Sequence, residues 1–137
     1  MGARHPGPRN RIDLRGARRR ALWSTGYLRE VALLVDQGAL MSYDTAMPFE
    51  ALYCGYMRRT AARALDAGPP EVALLIGVPA YPASGPYHRA AENMTTAIRG
   101  VRLAIGDHPP SRRFGVAIYV DFTATEDDWA VYGRDWA

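Results

Sequence analysis

The stretch EVALLIGVPAY, residues 71–81, decides the fold. Its apolar residues fall on both odd and even positions, which is typical of a strand buried on both faces of a parallel sheet. Two other short apolar runs, at 38–43 and at 114–122 (FGVAIYVDF), lie on either side of it in the sequence. The sequence therefore predicts three buried strands at these positions.

Residues with helical spacing of apolar side chains separate these strands. The pattern predicts helices at 23–35, 48–66, 88–105 and 123–136, with Pro48 in the first turn of the second. We expect Thr123 or Thr125 to cap the last helix, whose first turn carries three acidic residues. A helix followed by three strand–helix units predicts an α/β fold with parallel strands and crossover helices. Either a small open parallel sheet or part of a (β/α)8 barrel fits this pattern.

Charge divides the 137-residue chain into two parts. Residues 1–20 hold seven arginines and one acid, whereas residues 21–137 hold ten arginines and thirteen acids. The first part has too few apolar residues to fold, so we predict a disordered basic leader at 1–20 and one domain at 21–137. The leader has no aromatic residues that could stack on bases, so nucleic acid is not the expected partner.

Several classes of function lack their sequence signals. No apolar run reaches the roughly 20 residues of a membrane span, and no apolar segment follows the first arginines as in a secretory signal. The single cysteine, Cys54, excludes an internal disulfide and is expected to be a small core residue. No glycine-rich phosphate loop and no cluster of histidines is present, so we predict neither a cofactor nor a transition-metal site. The cellular location stays open.

Polar residues stand where each predicted strand ends. Tyr43 and Asp44 end the first strand, Tyr81 ends the second, and Tyr119 and Asp121 end the third. Ligands of parallel sheets and barrels bind at the carboxyl ends of the strands, so we predict that these five residues bind a substrate. Asp44 and Asp121 are the catalytic candidates, because two carboxylates across a cleft serve glycoside hydrolysis and can also hold a divalent cation.

Each candidate also has a structural interpretation. An aspartate at a strand end can cap a helix or organise a loop, and a tyrosine there can pack as part of the wall. Glu92 lies near the same edge, and its position predicts an acid in the first turn of the third helix, where the helix dipole favours it.

Three stretches resemble the last strands of glycoside hydrolase family 18 and related chitinase-like barrels. LMSYDT (40–45) is similar to the sixth-strand motif, LLIGVPAY (74–81) to the seventh-strand motif, and GVAIYVDFT (115–123) falls where the eighth strand is expected. The resemblance covers about residues 30–137. It implies that Tyr43 and Asp44 contact the N-acetyl group of the sugar at the cleavage subsite.

The chain also departs from that family. The signature Asp-x-x-Asp-x-Asp-x-Glu, which supplies the catalytic acid on the fourth strand, occurs nowhere in it. The tryptophan that usually lies under the sugar at the eighth strand is missing, which leaves Tyr119 or Phe122 as the aromatic platform. The resemblance therefore implies the carboxyl-terminal half of a barrel that acts on or binds an amino-sugar glycan and is inactive alone.

Two other interpretations remain. The chain is a non-catalytic module that binds a glycan or a protein, or it is a small self-associating α/β domain whose arginine-rich arm binds nucleic acid. Three parallel strands leave two unpaired edges and exposed apolar faces. The sequence therefore predicts a homo-oligomer or pairing with a missing half of a barrel.

Overall fold

Three strand–helix units follow one another along the chain in the computed structural model, which describes residues 24–85, 90–106 and 110–137. Helix α1 (Thr25–Ala32) precedes strand β1 (Gln37–Leu40), helix α2 (Glu50–Ala67) precedes strand β2 (Ala73–Pro79), and helix α3 (Met94–Ile105) precedes strand β3 (Phe114–Tyr119). A short 3-10 helix (Asp121–Thr123) and helix α4 (Glu126–Asp135) complete the described chain. The predicted leader at 1–20 lies outside the described residues.

The strands form one open sheet in the order β1-β2-β3. Both pairs are parallel: Gln37 pairs with Ala73 at the start of β1, and Leu74 pairs with Phe114 at the start of β3. This confirms the predicted α/β fold with parallel strands. Since each crossover of this kind is right-handed, consecutive crossovers in one direction place their helices on the same face of the sheet.

The core lies between that face and the helices. Leu74, Ile76 and Val78 of β2 point into it and are at most 4% exposed. They pack against Tyr53 and Met57 of α2 and against α3, and the ring of Trp136, which follows α4, lies beside the ring of Phe114. Helices α2 and α3 approach so closely that a Cβ at Gly100 would lie 2.6 Å from the backbone oxygen of Cys54. Cys54 itself is buried, as predicted.

The element boundaries differ from the predicted ones where the backbone turns away from the sheet. The first strand ends at Leu40 and not at residue 43, and the third ends at Tyr119, after which residues 121–123 form the 3-10 helix. The third helix begins at Met94 and not at residue 88, because the side chain of Asn93 caps it by accepting a hydrogen bond from Thr96 N at 2.8 Å. Thr125 is the cap of α4, in a capping box with Asp128.

Among residues 24–85, 90–106 and 110–137, every helix is too short or too polar to span a membrane. Because successive side chains of a strand alternate between its two faces, the odd-numbered residues of β2 lie on the sheet face opposite the helices. Met41, which follows β1, keeps 74% of its surface exposed. The polar residues predicted to form a site stand at the carboxyl edge of this sheet.

Candidate functional site

The chain that leaves β1 is tied to the sheet and to α2 by a buried serine. Ser42 is fully buried, and its hydroxyl lies 3.1 Å from the carbonyl oxygens of both Leu40 and Gly77, to one of which it donates. The carbonyl of Ser42 accepts a hydrogen bond of 2.9 Å from the hydroxyl of Tyr53, which is also fully buried. These contacts fix where Tyr43 leaves the sheet.

The three tyrosines predicted at the strand ends come together. The rings of Tyr43 and Tyr119 stack with centroids 4.0 Å apart and planes within 1° of parallel. The ring of Tyr81 meets Tyr119 edge to face, with centroids 6.3 Å apart. Gly77 makes room for this arrangement, since a Cβ there would lie 2.8 Å from both the Tyr43 ring and the carbonyl oxygen of Leu40. Tyrosines at or just after the carboxyl ends of all three strands therefore form one aromatic cluster.

Asp44 lies beside this cluster in a turn of unusual backbone geometry. Asp44 has a φ of 57° and Ala46 a φ of 55°, both in the left-handed region. A residue with a Cβ in that region costs about 1–3 kcal/mol and keeps this conformation only where its surroundings hold it. The backbone N–H of Asp44 donates to the hydroxyl of Tyr81 at 3.1 Å, and the residue itself is exposed to solvent.

Glu92 is the residue that holds this turn. Its carboxylate is buried, with 2% of the residue exposed. One oxygen accepts hydrogen bonds from the hydroxyl of Thr45 and from the backbone N–H of Met47 (3.2 Å), and the other accepts from the hydroxyl of Tyr81 (3.2 Å). The prediction that Glu92 is a first-turn acid of α3 is therefore wrong, since it precedes the cap residue Asn93 and serves the turn after β1 instead.

Asp121 occupies the opposite side of the same edge. It begins the 3-10 helix after β3 and is exposed. The hydroxyl of Thr123, two residues on, lies 2.6 Å from the carbonyl oxygen of Ala80, which ties this helix to the end of β2. Asp44 and Asp121 thus follow the two outer strands, which are about 9.6 Å apart at two strand spacings. Phe122, the other candidate platform, is 86% exposed.

Burial and neighbouring ionisable groups raise the pKa of two tyrosine hydroxyls in the cluster, those of Tyr43 and Tyr81. Burial raises the pKa of Tyr43, and Tyr119 and Asp44 raise it further. Burial also raises the pKa of Tyr81, an effect that outweighs the lowering by the hydrogen bond from Asp44 N–H, and the carboxylate of Glu92 adds to the rise. At neutral pH both hydroxyls are therefore neutral phenols, which can donate hydrogen bonds to hydroxyl and amide groups and accept them.

Metal ligands are not grouped in the described part of the chain. No three histidine, cysteine, aspartate or glutamate residues among 24–85, 90–106 and 110–137 lie close enough together to hold an ion. His5, His88 and His108 lie outside the described residues.

Comparisons with protein-family models, with curated proteins and with solved structures found no match for this chain.

Proposed function

We propose that this chain binds a carbohydrate, an amino-sugar-containing glycan, at the carboxyl edge of its sheet. The observation that carries the proposal is the meeting of Tyr43, Tyr81 and Tyr119 beside Asp44. Aromatic rings supply apolar surface for the faces of a sugar, and a few polar groups fix its orientation. The resemblance of these strand ends to chitinase-like barrels supports an N-acetylated sugar as the ligand.

The roles within the proposed site follow from the contacts. The carboxylate of Asp44 accepts a hydrogen bond from the acetamido N–H or a ring hydroxyl. The Tyr43–Tyr119 pair supplies the aromatic surface, of which Tyr119 is 41% exposed. Asp121 lines the far side. Glu92 does not face the ligand, because three donors already occupy its buried carboxylate.

Binding without hydrolysis is the activity that we propose for this chain by itself. Glycosidases need a carboxylic acid that protonates the leaving oxygen. The chain lacks the family's motif for that acid, and we propose that it belongs to a barrel in which another segment supplies the acid. Turnover would then require that segment.

Titration calorimetry with chitotetraose tests this proposal. We expect saturable binding, an affinity at least tenfold lower after Asp44→Asn or Tyr119→Ala, and no cleavage products by mass spectrometry. Tenfold corresponds to about 1.4 kcal/mol, which is within the range of one hydrogen bond. Asp66→Asn is the matched control, since Asp66 is an exposed carboxylate at the end of α2, by the opposite edge of the sheet. An affinity that responds equally to Asp44→Asn and Asp66→Asn would refute the site.

A further inference from the structure

The turn that presents Asp44 depends on a residue that is distant in sequence. Glu92 comes from the connection before α3, whereas its partners Thr45 and Met47 lie on the connection after β1. Its carboxylate also accepts from the hydroxyl of Tyr81, which in turn accepts from the backbone N–H of Asp44. One buried carboxylate thus reaches the turn on both sides of Ala46.

We propose that Glu92 is the positioning residue of the carbohydrate site: it holds the 44–47 turn in its left-handed geometry and so aims the carboxylate of Asp44 at the ligand. This inference rests on the proposed function and names the residue on which it depends. Glu92 acts through Asp44 and does not touch the sugar.

The geometry distinguishes this role from simple packing. A side chain that only fills space needs no hydrogen-bond acceptors, and a buried carboxylate is unfavourable unless donors surround it. Here the donors are a hydroxyl from Thr45, a backbone N–H from Met47 and a phenol from Tyr81, and all belong to the proposed site or the turn that carries it. Of the two residues of the turn with positive φ, Ala46 lies between Thr45 and Met47, and Asp44 directly precedes Thr45.

Non-additivity of substitutions tests the proposal. Glu92→Gln preserves the side-chain volume but replaces one carboxylate oxygen with an amide NH2 donor, so at least one of the three donors loses its acceptor. We expect it to lower chitotetraose affinity at least fivefold in the natural chain and less than twofold when Asp44→Asn is already present. Two residues that act on the ligand through one group show such coupling, whereas independent effects add.

The turn can also be measured without any sugar. Amide hydrogen exchange followed by NMR should be at least tenfold faster at Asp44 and Met47 in Glu92→Gln than in the natural chain. Thr45→Val, which removes one donor and keeps the carboxylate, should shift exchange and affinity in the same direction by a smaller factor. It serves as the test if Glu92→Gln does not fold.

Asn93→Ala separates positioning from loss of stability. It removes the cap of α3 beside Glu92 without altering a contact of the 44–47 turn, so it should lower the melting temperature and leave the affinity unchanged. Equal losses of affinity in Asn93→Ala and Glu92→Gln, additive effects in the double variant, or unchanged exchange at Met47 would each overturn the proposal. If the natural chain binds no sugar while exchange still accelerates in Glu92→Gln, the proposed function is wrong and the anchoring role of Glu92 stands.

Discussion

Replacement of Tyr53 by phenylalanine has a predictable and pH-dependent effect on stability. The hydroxyl of this fully buried residue donates to the carbonyl of Ser42 at 2.9 Å. The substitution removes the hydroxyl, keeps the ring, and leaves the carbonyl of Ser42 without that donor. A lost hydrogen bond of this kind together with a desolvated acceptor costs about 1–3 kcal/mol. We therefore expect a loss of about 2 kcal/mol at neutral pH, which is about 8 °C in melting temperature for a domain of this size.

The difference in the free energy of unfolding between the natural chain and the Tyr53→Phe variant should decrease at high pH. Burial, reinforced by the charge of Glu92, raises the pKa of Tyr53 far above its ordinary value near 10. In the unfolded chain Tyr53 ionises above pH 10, whereas in the folded chain it stays protonated. The contribution of the protonated hydroxyl to the free energy of unfolding is therefore complete below pH 10 and decreases as the pH rises above 10. At pH 11 this loss is about 1 kcal/mol, and the phenylalanine variant does not suffer it.

Thermal melts from pH 7 to pH 11 provide the assay. The gap of about 8 °C in melting temperature should narrow to about half of that at pH 11. Because all 17 basic residues of the chain are arginines, no lysine titrates in this range. Ile98→Val is the matched control: Ile98 is 1% exposed in the same core, and its loss of about 1 kcal/mol should not change with pH. A gap for Tyr53→Phe that stays constant from pH 8 to pH 11 would refute this reasoning.

Two further substitutions test the local packing. Gly77→Ala places a Cβ 2.8 Å from both the Tyr43 ring and the carbonyl oxygen of Leu40, so we expect the free energy of unfolding to fall by about 1–3 kcal/mol. The near-ultraviolet circular dichroism should also change, because the Tyr43–Tyr119 stack separates. An unchanged spectrum would contradict the stacked arrangement. Thr125→Ala removes the hydroxyl that accepts a hydrogen bond from Asp128 N and should lower the free energy of unfolding, measured by urea denaturation, by about 1 kcal/mol. Thr125→Ser keeps a hydroxyl at this position and should retain most of that stability. Equal stabilities of the two variants would contradict the capping role.

Local patterns in the sequence were sufficient to predict the order of elements and the direction of the strands. The apolar run in β2 signals burial on both faces, and its flanking helices require parallel crossovers. The sequence also predicted that Tyr43, Tyr81 and Tyr119 share one edge, because the ends of parallel strands meet there. It could not predict that two of the rings stack, since that depends on the space left by Gly77 on the neighbouring strand.

The role of Glu92 was beyond prediction for a related reason. Its sequence neighbours are consistent with a first-turn acid, and only Asn93 at the next position, with its side chain on Thr96 N, moves the helix start past it. The partners of its carboxylate lie more than ten residues away in the sequence, at Thr45, Met47 and Tyr81. Periodicity and capping rules describe contacts within a few residues, so they give no information about such a pairing.

The agreement between strand order and chain order has a consequence for the kinetics of folding. Residue 37 of β1 must find residue 73, and residue 74 of β2 must find residue 114, so both pairings close loops of nearly equal length. The free energies of loop closure for the two pairings differ by only about 0.1 kcal/mol, so loop closure favours neither pairing over the other. Folding can therefore start from the β1–β2 pairing or from the β2–β3 pairing, and strand β2 takes part in both. Substitutions in β2 should therefore slow folding, while those in β1 or β3 should mainly speed unfolding.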